Sequence, residues 1–429
     1  MTGGQANNER LNLGEGWRKL FLPAAAVGLL ALVVSVIIPL FRGGDAHAWA
    51  QFFRSYLTAF IYVLTLSLGG LFFIVIQHLT RAGWSVVLRR LAEAVAANLT
   101  WLWLLFLPVL LIVLFGRGWL LYDWMDAAHR DPIIEGKTPF LNVGFWTIRA
   151  VFYFLVWGFA GWYFFSRSRA QDGSGDVNLT HRMQRWAPLT AILYGITQTF
   201  AAIDWIMSLE AHWFSTMFGV YFFAASCCGF FALLCVLMSA LQRAGKLTGE
   251  ITLEHYQDAG KQLFAFGIVF WAYIAFSQYM LIWYANIPEE TGWYLARQLG
   301  AWKAVSVILL VGHFALPFLL LVTKHTKRRR AVITVIASWM LLMHFVDVYW
   351  LVMPQVPAEA MSAATTYPEL TQMVQAGAEV GFAPSLTDLT CLVGMVGVWL
   401  AVTARRMGTC SLIPAQDPRL HESLAFENM

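Results

Sequence analysis

Charge is scarce in this chain. Only 13% of its 429 residues are Asp, Glu, Lys or Arg, about half the share of a soluble globular domain. That shortage excludes a water-facing surface over most of the molecule, and no continuous polar stretch remains for a soluble catalytic domain. Cysteine is rare too. Four of the five, Cys227, Cys228, Cys235 and Cys391, fall inside apolar runs and Cys410 lies in the tail. None has CxxC or CxxCH spacing, so no zinc, Fe–S or c-type haem site is encoded by motif, and disulfides are not expected. The net charge of +4 is small. Its basic residues are segregated by loop, which topology explains better than a nucleic-acid partner does.

What is present is apolar. Hydrophobic residues make up 59% of the chain, and the mean hydropathy is +0.60. Runs of roughly 20 apolar residues are needed to cross a bilayer core. Such runs lie near 20–40, 52–78, 95–116, 144–166, 187–208, 215–241, 262–285, 300–323, 331–353 and 384–404. Many of the 20 Trp and 14 Tyr stand where these runs meet polar loops, the pattern of an aromatic belt. The sequence therefore predicts one all-α, polytopic membrane domain of about ten spans. With the N-terminus inside, 21 of the 29 Lys and Arg residues fall on inner segments, which predicts that both termini are cytoplasmic. The first run resembles a signal peptide but exceeds the roughly 7–15 residues of a signal core, and it reads as a span. Of the larger outer segments, 117–143 and 354–383, the second carries Glu359, Glu369 and Glu379 without Lys or Arg. It reads either as a solvated loop or as a docking surface for a partner.

Ionisable groups inside a bilayer are costly and need a reason. At 1.5 Å per residue, Asp204 lies about 25 Å from the inner edge of its span and Asp347 about 24 Å. Asp388 begins the last span. The expectation is three acids at one level near the outer side. Thr197, Ala201, Asp204 and Ser208 make one polar stripe. His344 and Asp347, three apart, share a helix face and form a candidate proton relay, or equally a structural hydrogen bond. Arg149 is placed to pair one of the acids. Tyr273, Ser277 and Tyr284 form a further stripe beside Gln278, and Thr58, Tyr62 and Thr65 another before Gly69-Gly70, which mark close helix packing. Asp204 and Asp347 recur four spans apart, which suggests that spans two to five and six to nine form two parallel four-helix bundles. A haem between His313 and His344 is disfavoured by a depth mismatch of about 10 Å.

Four segments carry a family resemblance: TAFIYVLTLSLGGLFFIVIQHLTRAGWSVVLRR at 58–90, IDWIMSLEAHWFSTMFGVYFF at 203–223, FWAYIAFSQYMLIWYANIPEETGWY at 270–294 and HFVDVYWLVMP at 344–354. They resemble the F subunit of bacterial alternative complex III, a quinol:cytochrome c oxidoreductase. The resemblance implies an NrfD/polysulfide-reductase-like fold, two four-helix bundles with two peripheral helices, in a bacterial inner membrane. It implies a hetero-oligomeric complex with a multihaem c-type cytochrome, an Fe–S protein and a homologous membrane subunit. Electrons then pass through haem c and Fe–S clusters in those partners to cytochrome c or an oxidase, and this chain binds no redox cofactor of its own. Its implied role is scaffold and candidate proton path, with quinone contact an option. Onto this sequence the resemblance carries Asp204, His344 and Asp347 as path candidates, beside Asp388, Arg149 and Tyr273 from the stripes. The rival readings are a proton- or ion-coupled secondary transporter, with Pro108 and Pro317 as helix breaks, and a purely structural anchor for extrinsic cytochromes.

Overall fold

A bilayer offers no partners for backbone polar groups, so a spanning chain satisfies them within helices. The computed structural model describes residues 10–126, 131–354, 369, 371–373 and 384–428, and no strand occurs among the described residues. Among the described residues, ten helices are long and apolar enough to cross a membrane: α1 Gly16–Phe41, α2 Ala46–Leu79, α3 Val86–Leu114, α4 Val143–Ser174, α5 Val177–Leu209, α6 Phe218–Arg243, α7 Leu253–Ala285, α8 Trp302–Leu321, α9 Arg330–Val352 and α10 Leu386–Gly408. The protein is an all-α, multi-pass membrane protein.

Each expected span is present, but several helices begin earlier than the apolar runs: α3 at 86 rather than 95, α5 at 177 rather than 187, α7 at 253 rather than 262. Their first turns are polar and are satisfied within the protein. At the start of α3, Arg90 donates from Nε to Glu93 (2.9 Å) and from Nη1 to Asp172 (2.7 Å). Arg89 pairs with Glu93 and Asp417. These buried ion pairs replace the solvated loop charges that topology alone suggests. Glu254 at the start of α7 pairs with Arg328 in the same way.

The helices close into two rings. In one, α2 packs on α3, α3 on α4, α4 on α5 and α5 back on α2; in the other, α6 to α9 close likewise. The bundles meet chiefly through α2 and α6. Gly69 makes this approach possible, because a Cβ there would fall on the Ser226 carbonyl of α6. The pair α1 and α10 sits outside both rings against α2. Its seam is made of Gly28 and Gly397, where a Cβ on Gly397 would come within 2.7 Å of the Gly28 Cα, the small-residue packing typical of membrane helices.

Both chain ends lie at one end of the bundles, hereafter the terminal face. Leu412 N–H donates to the Leu11 carbonyl (2.7 Å) and Leu247 N–H to that of Arg10 (3.3 Å). At the opposite face, the connection between α3 and α4 folds onto the first bundle, burying Leu121, Tyr122 and Trp124. Glu359 and Glu379 of the expected acidic surface lie outside the described residues.

Candidate functional site

Asp204, on the last helix of the first bundle, is a closed ion pair. Arg149 grips it bidentately, Nε to Oδ2 at 2.8 Å and Nη2 to Oδ1 at 2.7 Å. Tyr153 donates to Oδ2 at 2.6 Å. The guanidinium lies between the rings of Phe140 and Phe145, at 3.9 and 4.2 Å. Trp146 Nε1 and Ser208 Oγ both donate to the Asp204 carbonyl, and Trp157 Nε1 donates to Thr197 (2.8 Å). The stripe Thr197, Ala201, Asp204 and Ser208 is thus wholly internal, with Arg149 its counter-charge. Every polar atom named here has a partner, the signature of a structural clamp.

Asp347, on the last helix of the second bundle, is surrounded differently. Tyr221 of α6 donates to Oδ1 at 2.5 Å and Trp271 of α7 to Oδ2 at 3.1 Å. Asp347 joins no ion pair among the described residues. Both donors are neutral, so nothing fixes the charge of this fully buried carboxyl. Trp271 stacks on His313, centroids 3.8 Å apart, and His313 Nε2 meets Cys228 Sγ at 3.3 Å. A separate polar group lies between here and the opposite face: Tyr294 accepts from Gln278 Nε2 (3.1 Å), and Gln278 Oε1 accepts from half-buried Ser215 (2.9 Å). The rings of Phe218 and Trp293 stand between Tyr221 and Tyr294. Toward the terminal face, the buried side of α9 beyond His344 is mostly apolar, through Met340, Ala337, Ile336 and Ile333, and the one buried hydroxyl there, Thr334, donates to the Arg330 carbonyl of its own helix.

The helices around Asp347 are not regular. Leu263–Phe270 of α7 and Leu310–Ala315 of α8 are π-helical. His313 lies inside the second π segment and Trp271 directly follows the first. A π turn widens the helix and re-aims side chains, and such turns recur at functional sites.

His344 and Asp347 share a helix face but do not meet. His344 Nε2 turns to Thr65 of α2 (2.8 Å). Because Thr65 already donates to the Tyr62 carbonyl (2.8 Å), the imidazole donates from Nε2. Its Nδ1 is then a bare buried acceptor, without a partner among the described residues. The direct carboxylate–imidazole relay expected from their spacing is not formed. His313 and His344 are also nearer in depth than helical rise counted from nominal span edges suggests. Ser306 of α8 accepts from Trp350 Nε1 of α9 (2.8 Å), which fixes the register. Both histidines lie six or seven residues further in, about 9–10 Å by helical rise.

Asp388 is an anchor at a helix start. It completes a capping box with Ser385, accepts from Ser55 Oγ (2.5 Å) and Tyr349 OH (3.0 Å), and so ties α10 to α2 and α9. The three acids therefore occupy three separate sites with no shared partner. Tyr273 belongs to none of them. It is 64% exposed and faces outward, as does Tyr284, while Gln278 on the other side of α7 is buried. Polarity alone could not choose between two faces of one helix.

Compared with known proteins, the chain matches no family model and no curated protein. The residues that spacing arguments missed are Tyr221, Trp271 and Cys228; Thr65 stood in a stripe, but its partner His344 was not foreseen. Each reads as an ordinary core or belt residue until its donor or acceptor is seen aimed at Asp347 or a buried histidine. Outside the spans, Arg297 is a further buried cation, donating to the carbonyls of Trp293 (2.8 Å), Trp350 (3.1 Å) and Leu351 (2.9 Å). It holds the carbonyl end of α9, where a helix dipole favours positive charge.

Proposed function

We propose that this chain is an integral membrane subunit of a quinol-oxidising respiratory complex in the bacterial cytoplasmic membrane, and that its second bundle carries protons between the opposite face and Asp347. The observation that carries the proposal is the Asp347 site: a buried carboxyl held, among the described residues, by neutral donors alone, with the polar group Tyr294, Gln278 and Ser215 between it and the opposite face. Asp204 lacks this freedom because Arg149 fixes its charge. Quinol oxidation releases protons, and a carboxyl reached from one face is a suitable acceptor. On this reading the terminal face, with its excess of Lys and Arg, is cytoplasmic. Electrons travel in partners carrying haem c and Fe–S clusters, beside a sister membrane subunit that makes the closer quinol contact. The four family-like segments support this assignment, since two of them contain Asp204 and Asp347.

The test is isolation from native membranes followed by substitution. The chain should co-purify with haem-containing partners, and Asp347→Asn should slow quinol-driven turnover or proton release while the assembly stays intact. A haem-free homo-oligomer defeats the subunit reading, and full proton release in Asp347→Asn defeats the role of the carboxyl. The paired π segments beside the buried acid favour an ion-coupled transporter as second reading. That reading requires transport by the isolated chain.

A further inference from the structure

On the outer surface of the first bundle, α3 and α4 border an open apolar groove of about 580 Å³. Trp103, Leu107, Leu155, Phe159 and Trp162 line it. Gly158, which faces the backbone of Leu99 and Thr100 at ordinary contact distance, leaves its floor without a side chain. The groove ends toward the terminal face at Thr100, whose hydroxyl accepts from Arg406 Nη2 of α10 at 2.7 Å.

Arg406 is an unusual neighbour for an apolar groove. It joins no ion pair among the described residues, and its Nε is buried without a hydrogen-bond partner. Arg405 adjoins it on α10, and Arg169 of α4 reaches the same helix end. Arg169 makes only a long hydrogen bond to the Thr409 carbonyl (3.4 Å) and a cation–π contact with Phe165 (5.4 Å). Three guanidinium groups thus gather at one end of the groove, and among the described residues none of them joins an ion pair; Asp172, one turn from Arg169, is taken by Arg90. Elsewhere on the same face the buried arginines are neutralised, Arg89 by Glu93 and Asp417, Arg90 by Glu93 and Asp172. Like charges at such a site are favourable only with a counter-anion, and a planar guanidinium suits phosphate oxygens. The apolar channel below them suits a hydrocarbon chain, so one ligand satisfies both halves.

We propose that α3, α4 and α10 form a binding site for an anionic phospholipid. Its headgroup phosphate sits on Arg406 and Arg169 with Arg405 at the rim, and one acyl chain lies along the groove. The full-length chain, purified in mild detergent and delipidated, is titrated with phosphatidylglycerol and with phosphatidylcholine of the same acyl chains, and bound lipid is counted by native mass spectrometry. Phosphatidylglycerol should be retained selectively. Arg406→Gln should weaken its binding about fivefold, and the Arg169→Gln/Arg406→Gln pair about fivefold more, at roughly one such step per basic residue. Val151→Trp, which fills the groove from an exposed position, should weaken retention without touching the arginines. Should Arg406→Gln fail to fold, the surface pair Arg169→Gln/Arg405→Gln and Val151→Trp still decide. Equal retention of the two lipids, wild-type retention in the arginine variants, or competition by glycerol phosphate as strong as by the intact lipid overturns the proposal.

Discussion

Removing the charge from Asp204 and from Asp347 is the same chemical change with opposite expected consequences. Asp204→Asn leaves the Arg149 guanidinium buried between Phe140 and Phe145 with no counter-charge. Breaking a buried pair in this way costs about 3–5 kcal/mol. Asp347→Asn strands no cation, and the amide oxygen can still accept from Tyr221 or Trp271; the loss is one hydrogen bond, about 1 kcal/mol. The double variant Arg149→Met/Asp204→Asn removes the uncompensated charge and should recover most of the loss, ending within about 2 kcal/mol of wild type. Reversible unfolding in mixed micelles, followed by the fluorescence of the 20 tryptophans, measures all three. If Asp204→Asn is as stable as wild type, or Asp347→Asn falls as far as Asp204→Asn, the distinction between a clamped and an unclamped carboxyl is wrong.

Other expectations concern parts of the fold away from the acids. Arg297→Met leaves three carbonyls at the end of α9 without their donor and should destabilise by about 3 kcal/mol, with Arg297→Lys restoring less than half because one ammonium cannot fork; the same unfolding assay reads both. Gly397→Leu should separate α1 from α10 while leaving both bundles folded, seen as protease access to the 42–45 turn without loss of the main unfolding transition. At the opposite face, hydrogen bonds to Glu210 and then Asp131 hold the His212 proton up to about 9, while the Ile134 backbone N–H and then His212 lower Asp131. The histidine's contribution is complete below its ordinary value and lost as pH rises through about 9; the aspartate's is lost in acid. Protection factors for hydrogen exchange in 131–137, which remove the intrinsic pH dependence of exchange, should therefore be highest between the ordinary carboxylate and histidine values and fall toward about pH 9, and His212→Ala should flatten that alkaline limb.

Much of this architecture was legible because lipid imposes long apolar runs, and the ten spans follow from them. The Asp204 stripe was readable for the same reason, since a carboxylate inside an apolar run, unlike a tyrosine, has only the interior to face. Gly69-Gly70 announced a close contact that α6 supplies. The surroundings of Asp347 were not legible. Tyr221 and Trp271 come from helices distant in sequence, and aromatic residues in a membrane protein have a ready explanation at the lipid interface. The first π segment leaves no trace, since LFAFGIVF contains no breaker beyond one glycine, whereas the second ends two residues before Pro317, a helix break the sequence marks. Tyr273 was chosen for its hydroxyl, but the inward face of α7 is Trp271, Ile274, Gln278 and Ile282, mostly apolar. The depth of His313 depended on the Ser306–Trp350 register, a tertiary fact.

The unequal treatment of the two aspartates has an electrical consequence. A membrane potential does work only on charge that changes position, about 2.3 kcal/mol for one elementary charge crossing 100 mV. The Asp204 carboxylate, riveted to a guanidinium, adds no mobile charge for the potential to act on. On the proposed function, a proton that reaches Asp347 crosses part of the field, so occupancy of that carboxyl is coupled to the potential.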